Sequence, residues 1–152
     1  MLRIVAYQND LPAEYAASIF RLFQKQMKSI GTPKSLAYIE RAAANMFQER
    51  SQTVVFIGYE NENVPVAFAF GNIGVGLQSG GDYFWLNELY VDVDCRRNGY
   101  ATVLLAYVEN WLKEKGIRYM ACVTGSQNTA AQRLYQKNGF ETEALVWVEK
   151  NL

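Results

Sequence analysis

Six consecutive residues, Arg96-Arg97-Asn98-Gly99-Tyr100-Ala101, have the composition of an anion-binding loop. Gly99 lets the backbone come close to a ligand, and Ala101 keeps the neighbouring surface low. Ala101, Leu104, Leu105, Val108, Trp111 and Leu112 then recur at helical spacing, so the loop opens into a helix. The first N–H groups of a helix lack intrahelical partners and have the positive end of its dipole behind them, which suits phosphate. The plain alternative is a strand-to-helix turn with solvated arginines, and spacing alone leaves the two balanced. Just upstream, Glu88 is an acid within the largely apolar run 86–91. Partial burial there raises a carboxyl pKa toward the range of a general base, whereas on an exposed strand face the residue is an ordinary carboxylate. The chain has no histidine. Acid–base chemistry therefore falls to carboxylates, tyrosine, lysine, cysteine or water, and Ser-His-Asp and Cys-His mechanisms are excluded. Cys95 and Cys122 show neither metal spacing nor a disulfide framework, so no metal is expected.

These residues need a frame. The pattern predicts strands over 2–8, 53–59, 64–73, 86–91, 118–124 and 144–149. Helices are expected after Asn9 or Asp10 with Pro12 in the first turn, from Thr32-Pro33, over 101–115, and from Asn128 to Asn138-Gly139. Four glycines between 74 and 81 suggest a flexible loop. The order is β-α-α-β-β-β-α-β-α-β, an α/β mixed, mostly antiparallel sheet flanked by about four helices, in one domain over 1–152. Lys and Arg total 15, as do Asp and Glu, so no net field favours nucleic acid or an anionic membrane. No apolar run reaches membrane-span length and the first residues lack a signal pattern, so a cytoplasmic location is expected.

Arg96-x-x-Gly99-x-Ala101, after a strand ending Leu89-Tyr90-Val91 and before an apolar helix, resembles the signature of the GNAT superfamily of acyl-CoA-dependent N-acyltransferases. A second stretch, Asn128-x-x-Ala131-x-x-Leu134-Tyr135-x-x-x-Gly139-Phe140, resembles that family's later motif, in the right order and context. The resemblance covers roughly 86–140. It implies acetyl transfer from acetyl-CoA to a primary amine by direct attack in a ternary complex. The coenzyme would lie between the signature strand and the strand after the signature helix. It would touch Leu89, Val91, Arg96, Arg97, Asn98, Gly99, Tyr100, Ala101, Thr102, Asn128 and Ala131. By the same resemblance the Val91 amide polarises the thioester carbonyl, and Tyr135 protonates the departing thiolate. Glu88 is the first candidate for the base that frees the amine. Its plain counterpart is a surface carboxylate, as those of Tyr135 and Asn128 are a core tyrosine and a helix cap.

Relatives in this family often carry an acid where this chain has Asn87. In a regular strand Asn87 and Glu88 point to opposite faces. If the base belongs at the first position, Glu88 points away and Tyr83 or water must serve. The other functional class is an acyl-CoA-binding sensor or interaction module without turnover. The acceptor, a small-molecule or peptide amine, is bounded by 27–36, the 74–81 glycines and Tyr83-Phe84-Trp85. No acidic cluster there favours a polyamine or an aminoglycoside. Strand edges and aromatics are compatible with a homodimer.

Overall fold

The computed structural model describes residues 1–152 and contains two compact units, Met1–Cys122 and Val123–Leu152. The first unit is built on a five-stranded sheet: Arg3–Tyr7 (β1), Thr53–Glu60 (β2), Val64–Gly76 (β3), Gly81–Val91 (β4) and Met120–Ala121 (β5). Spatial order follows chain order, antiparallel except for the parallel β4–β5 pair. Three α-helices accompany it, Ala16–Ser29 (α1), Leu36–Met46 (α2) and Tyr100–Glu114 (α3). A fourth, Thr129–Lys137 (α4), belongs to the second unit. This is the mixed sheet with four helices expected from the sequence.

The sheet is buried on both faces, which is why β2 is apolar almost throughout rather than alternating. Val55, Ile57, Tyr59, Phe68 and Tyr90 pack with Ile19, Leu22 and Phe23 of α1 and Ile39 of α2. Phe23 meets Phe68 edge-on, ring centroids 4.7 Å apart. On the opposite face Phe56 packs against Phe84 and Trp111. The expected α3 stripe is realised there, with Leu104, Leu105, Val108 and Leu112 buried. Gly116, at φ +79°, ends that helix as a left-handed stop.

Several local expectations are corrected. The segment 74–81 is not a loose loop, because β3 runs to Gly76 and β4 starts at Gly81, leaving only 77–80 as the turn. The tyrosine ring across the hairpin explains one of its glycines: a Cβ at Gly74 would lie 2.8 Å from Tyr83. The first helix starts at Ala16, four residues after Pro12, whose carbonyl closes a turn with the Tyr15 amide at 3.0 Å. Ser35 rather than Thr32 caps α2, accepting from the Tyr38 amide at 3.2 Å. The strand at 118–124 shrinks to β5, and 144–149 forms no strand: Leu145, Val146, Trp147 and Val148 have no ladder partner and stay exposed. A run of apolar and aromatic residues makes no strand without a neighbour to receive its hydrogen bonds.

Candidate active site

The site is organised by one irregularity in β4. Phe70 of β3 pairs with Glu88 and Gly71 pairs with Leu86, so Asn87 is an extra residue, a β-bulge. Gly71 makes room for it, since a Cβ there would lie 2.2 Å from the Trp85 carbonyl oxygen and 2.5 Å from the Phe84 ring. The bulge resets the alternation. Phe84 and Leu86 are buried on one face, but Tyr90 joins the core beneath α1 and α2 on the other.

Asn87 and Glu88 therefore do not point to opposite faces as a regular strand would dictate. Asn87 donates to Asn72 Oδ1 at 2.5 Å, and Asn72, two residues beyond Phe70, stands on the α1 and α2 face. Glu88 faces the same way and accepts from Gln26 Nε2 of α1 at 2.8 Å. Gln26 is itself buried, and its carbonyl accepts from Ser29 Oγ at 3.2 Å. The Ser29 hydroxyl also donates to the Gln26 main-chain carbonyl at 2.8 Å, and an ionised carboxylate, an acceptor only, takes the amide's NH2 end. Burial pushes the Glu88 carboxyl above the ordinary range, and the Gln26 donor draws it part of the way back.

The other edge of β4 is open. β5 pairs only with Phe84 and Trp85, so from Leu86 onward β4 has no strand neighbour on that side. The Asp92 amide donates to the Val66 carbonyl at 2.8 Å. Because hydrogen-bonded and non-bonded pairs alternate, the main-chain groups of Leu89 and Val91 face away from β3, into the opening. Arg96 Nε occupies the Val91 carbonyl at 3.0 Å and its guanidinium lies 5.7 Å from the Tyr90 ring centre, so this side chain folds back on β4. The Val91 amide remains directed at the opening.

Beyond β4 a single turn over Val93–Cys95 leads into the loop. The backbone is left-handed at Arg97 (φ +67°) and again at Gly99 (φ +73°), the residue from which α3 begins. No side chain caps α3, and open space surrounds the place where a Gly99 Cβ would stand. The first-turn amides of Tyr100 and Ala101 thus have no partner within the helix, beside a surface kept low by Gly99. That cradle fits a phosphate-bearing group such as the pyrophosphate of coenzyme A. Asn98 secures the loop through the Cys95 carbonyl at 3.1 Å. Tyr100 turns its hydroxyl to Glu60, and Thr102 completes the first turn. Cys95 is disfavoured as a thiolate. Burial and Glu60, which accepts from its thiol at 3.8 Å, raise its pKa.

In the second unit Asn128 caps α4, accepting from the Ala131 amide at 3.1 Å. Tyr135, half-buried, packs on Phe140 with ring centroids 5.2 Å apart. Gly139 makes this return possible at φ +86°. The structure thus brings Glu88, Leu89, Val91 and 96–102 together around β4, and Asn128, Ala131 and Tyr135 around α4.

Three residues that shape the site were missed by sequence reasoning. Gln26 interrupts the apolar stripe Ile19, Leu22, Phe23, Met27, and a buried polar group in such a stripe needs a partner. Asp92, buried at the end of β4, accepts from the Asp94 amide at 3.3 Å and ion-pairs with Lys25. No group of three or more metal-ligating side chains gathers anywhere, and no helix is long and apolar enough to cross a membrane.

A family model described as the acetyltransferase (GNAT) family matches residues 16–140. An aminoglycoside N(6')-acetyltransferase type 1 of Serratia marcescens is 27% identical, over 99% of this chain and 89% of its own length. An uncharacterized N-acetyltransferase, YhdJ, of Bacillus subtilis (strain 168) is 26% identical over 72% of this chain and 75% of its own. Among solved structures, a probable acetyltransferase superposes with a TM-score of 0.82 at 19% identity, covering 98% of this chain and 99% of that one. The aminoglycoside N-acetyltransferase AAC(6')-Iy in complex with CoA superposes with a TM-score of 0.79 at 24% identity, covering 100% and 96%.

Proposed function

The chain belongs to the acetyltransferase (GNAT) family, and from that premise we propose that it transfers the acetyl group of acetyl-CoA to a primary amine of a small molecule by direct attack. The observation that carries this reading is β4 itself: its bulge turns Glu88 to one side and the Val91 amide to the open edge. Acetyl-CoA supplies the thioester. The amides of Tyr100 and Ala101 hold its pyrophosphate, with Leu89, Thr102, Asn128 and Ala131 along the rest of the coenzyme. The Val91 N–H donates to the thioester carbonyl, where negative charge develops.

An alkylamine has a pKa near 10 and is almost fully protonated at neutral pH. Glu88 takes its proton, directly or through one water, and its raised pKa brings it closer to the operating pH. Tyr135 returns a proton to the leaving thiolate. Relatives named as aminoglycoside acetyltransferases support a small-molecule acceptor. They give no support to a sensor without turnover.

The test is titration calorimetry with acetyl-CoA followed by thiol release against an amine panel. Binding with amine-dependent release is expected. Tyr135→Phe should cut turnover about 10- to 100-fold while CoA affinity holds. Unchanged turnover in that variant would remove Tyr135 as the acid.

A further inference from the structure

The loop between β4 and α3 is held at both ends by one side chain that lies outside it. Glu60, the last residue of β2, accepts from the Tyr100 hydroxyl with Oε1 and from the Cys95 thiol, 3.8 Å away, with Oε2. The strand's alternation puts it there. Phe56 packs against Trp111 on the α3 side of the sheet, and Glu60, four residues further along β2, stands on the same side. Cys95 ends the single turn after β4 and Tyr100 is the first residue of α3, so the two bonds bracket residues 96–99. Inside the loop, Asn98 adds only a local bond to the Cys95 carbonyl, and Arg96 folds back on Val91. No side chain caps α3, so the direction of the Tyr100 and Ala101 amides depends on how its first turn is seated. Tyr100 seats that turn against β2.

A carboxylate is an unexpected neighbour for an anion site. Glu60 has no ion-pair partner, and its charge repels a pyrophosphate. Each of its oxygens is instead occupied by a donor from one end of the loop. The same bond is the largest influence raising the pKa of the Tyr100 phenol, so the hydroxyl remains a donor at neutral pH.

We propose that Glu60 is a positioning residue for the coenzyme: by tying Tyr100 and Cys95 to β2, it holds residues 96–99 and the first amides of α3 in the arrangement that receives the pyrophosphate. It acts through those two partners and not through its charge. This deepens the acetyltransferase reading and rests on its placement of coenzyme A at this loop. A loop ordered in advance loses less freedom when its ligand arrives, so the effect falls on coenzyme binding and not on the chemical step.

The test is calorimetry of the full chain with CoA, set beside kinetics with any amine that proves to be acetylated. The variants are Glu60→Ala, Glu60→Gln, Tyr100→Phe and the double Glu60→Ala/Tyr100→Phe. Tyr100→Phe keeps the ring and the main-chain amide and removes only the hydroxyl. Loss of the bond should raise the Kd for CoA and the KM for acetyl-CoA about three- to tenfold in Glu60→Ala and in Tyr100→Phe, with kcat at saturation unchanged. The double variant should bind no more weakly than Glu60→Ala, because both changes remove the same bond. Glu60→Gln should stay within about twofold of wild type, since its amide oxygen still accepts from Tyr100. If charge were the active property, Glu60→Gln and Glu60→Ala would both bind CoA more tightly than wild type, which overturns the proposal. A lower Tm with unchanged Kd, or additive losses in the double variant, overturns it too. Should Glu60→Ala not fold, weakened binding in Tyr100→Phe with wild-type binding in Glu60→Gln supports the proposal, and any other pattern overturns it. Binding is read without turnover, so a chain that binds CoA but acetylates no amine loses the transferase reading while this test still decides. A wild type that does not bind CoA ends both.

Discussion

On the α1 side of β4 the polar groups are side chains held by other side chains: Ser29 orients Gln26, and Gln26 orients Glu88. On the open edge they are main-chain amides, at Val91 and at the start of α3, aimed by backbone dihedrals at Arg97 and Gly99. The first arrangement buries a titratable group and tunes it. The second exposes dipoles that do not titrate. If Glu88 is the base and the open edge holds the coenzyme, as proposed above, proton removal and coenzyme binding are divided across one strand, and a substitution on either side should damage one function and spare the other.

The sharpest attempt to break that division is Glu88→Gln. It removes the proposed base and keeps the shape, so kcat/KM should fall about 10²- to 10³-fold with acetyl-CoA affinity unchanged. Stability should move the opposite way. A carboxyl raised by burial binds its proton more tightly in the folded chain than in the unfolded one. It therefore weakens the fold increasingly as pH rises from the ordinary value of 4.5 through its raised value. The variant should melt higher than wild type at pH 7 and show little difference at pH 4. Retained activity with an unaltered acid limb would instead assign the proton to water or Tyr83.

Next in size is Gly99→Val on the other side. A β-branched residue in the left-handed region costs about 1–2 kcal/mol, although nothing in the chain obstructs its Cβ. The same side chain would stand where the ligand must approach the α3 amides. Acetyl-CoA affinity should fall at least about tenfold by calorimetry, more than the modest loss of stability explains. Affinity equal to wild type would mean that the cradle is not where the coenzyme sits.

This contrast also explains what could be read from the sequence. Backbone-built features announce themselves: Gly99 marks the loop, the spacing from Ala101 to Leu112 gives α3, and Asn128 declares its cap. The bulge does not, because it is a property of pairing: only the ladder to β3 shows which residue is the extra one. Three residues carried a trace of it, the polar Asn87-Glu88 pair within an apolar strand and Gly71 across from it. The glycines of 74–81 misled for a similar reason. One of them lies beneath the ring of Tyr83 across the hairpin, which composition alone reads as looseness. Gln26 was passed over because its partner is 62 residues away.

A smaller effect sharpens the tuning argument. Gln26→Leu removes the only hydrogen-bond donor that favours the charged Glu88, leaving burial unopposed. The Glu88 pKa should rise further, so the acid limb of kcat/KM should move to higher pH. A merely structural role for Gln26 would lower Tm and leave the limb in place. In a Glu88→Gln background the same change should shift nothing, since the titrating group is gone.

The smallest effect tests whether the loop's left-handed turns matter more than its guanidinium groups. Arg97 pays a steric cost at φ +67° that glycine would not, about 1–2 kcal/mol for an ordinary side chain. Glycine would return part of that gain through the larger entropy of its unfolded chain, about 0.5–1 kcal/mol. Arg97→Gly should therefore leave stability unchanged or raise it by up to about 1 kcal/mol, read from denaturant midpoints. Its effect on acetyl-CoA affinity should be far smaller than that of Gly99→Val, because the α3 amides and their direction are untouched. A large loss of affinity without loss of stability would show that the Arg97 charge grips the coenzyme directly, and the open edge of β4 would then depend on side chains as its other face does.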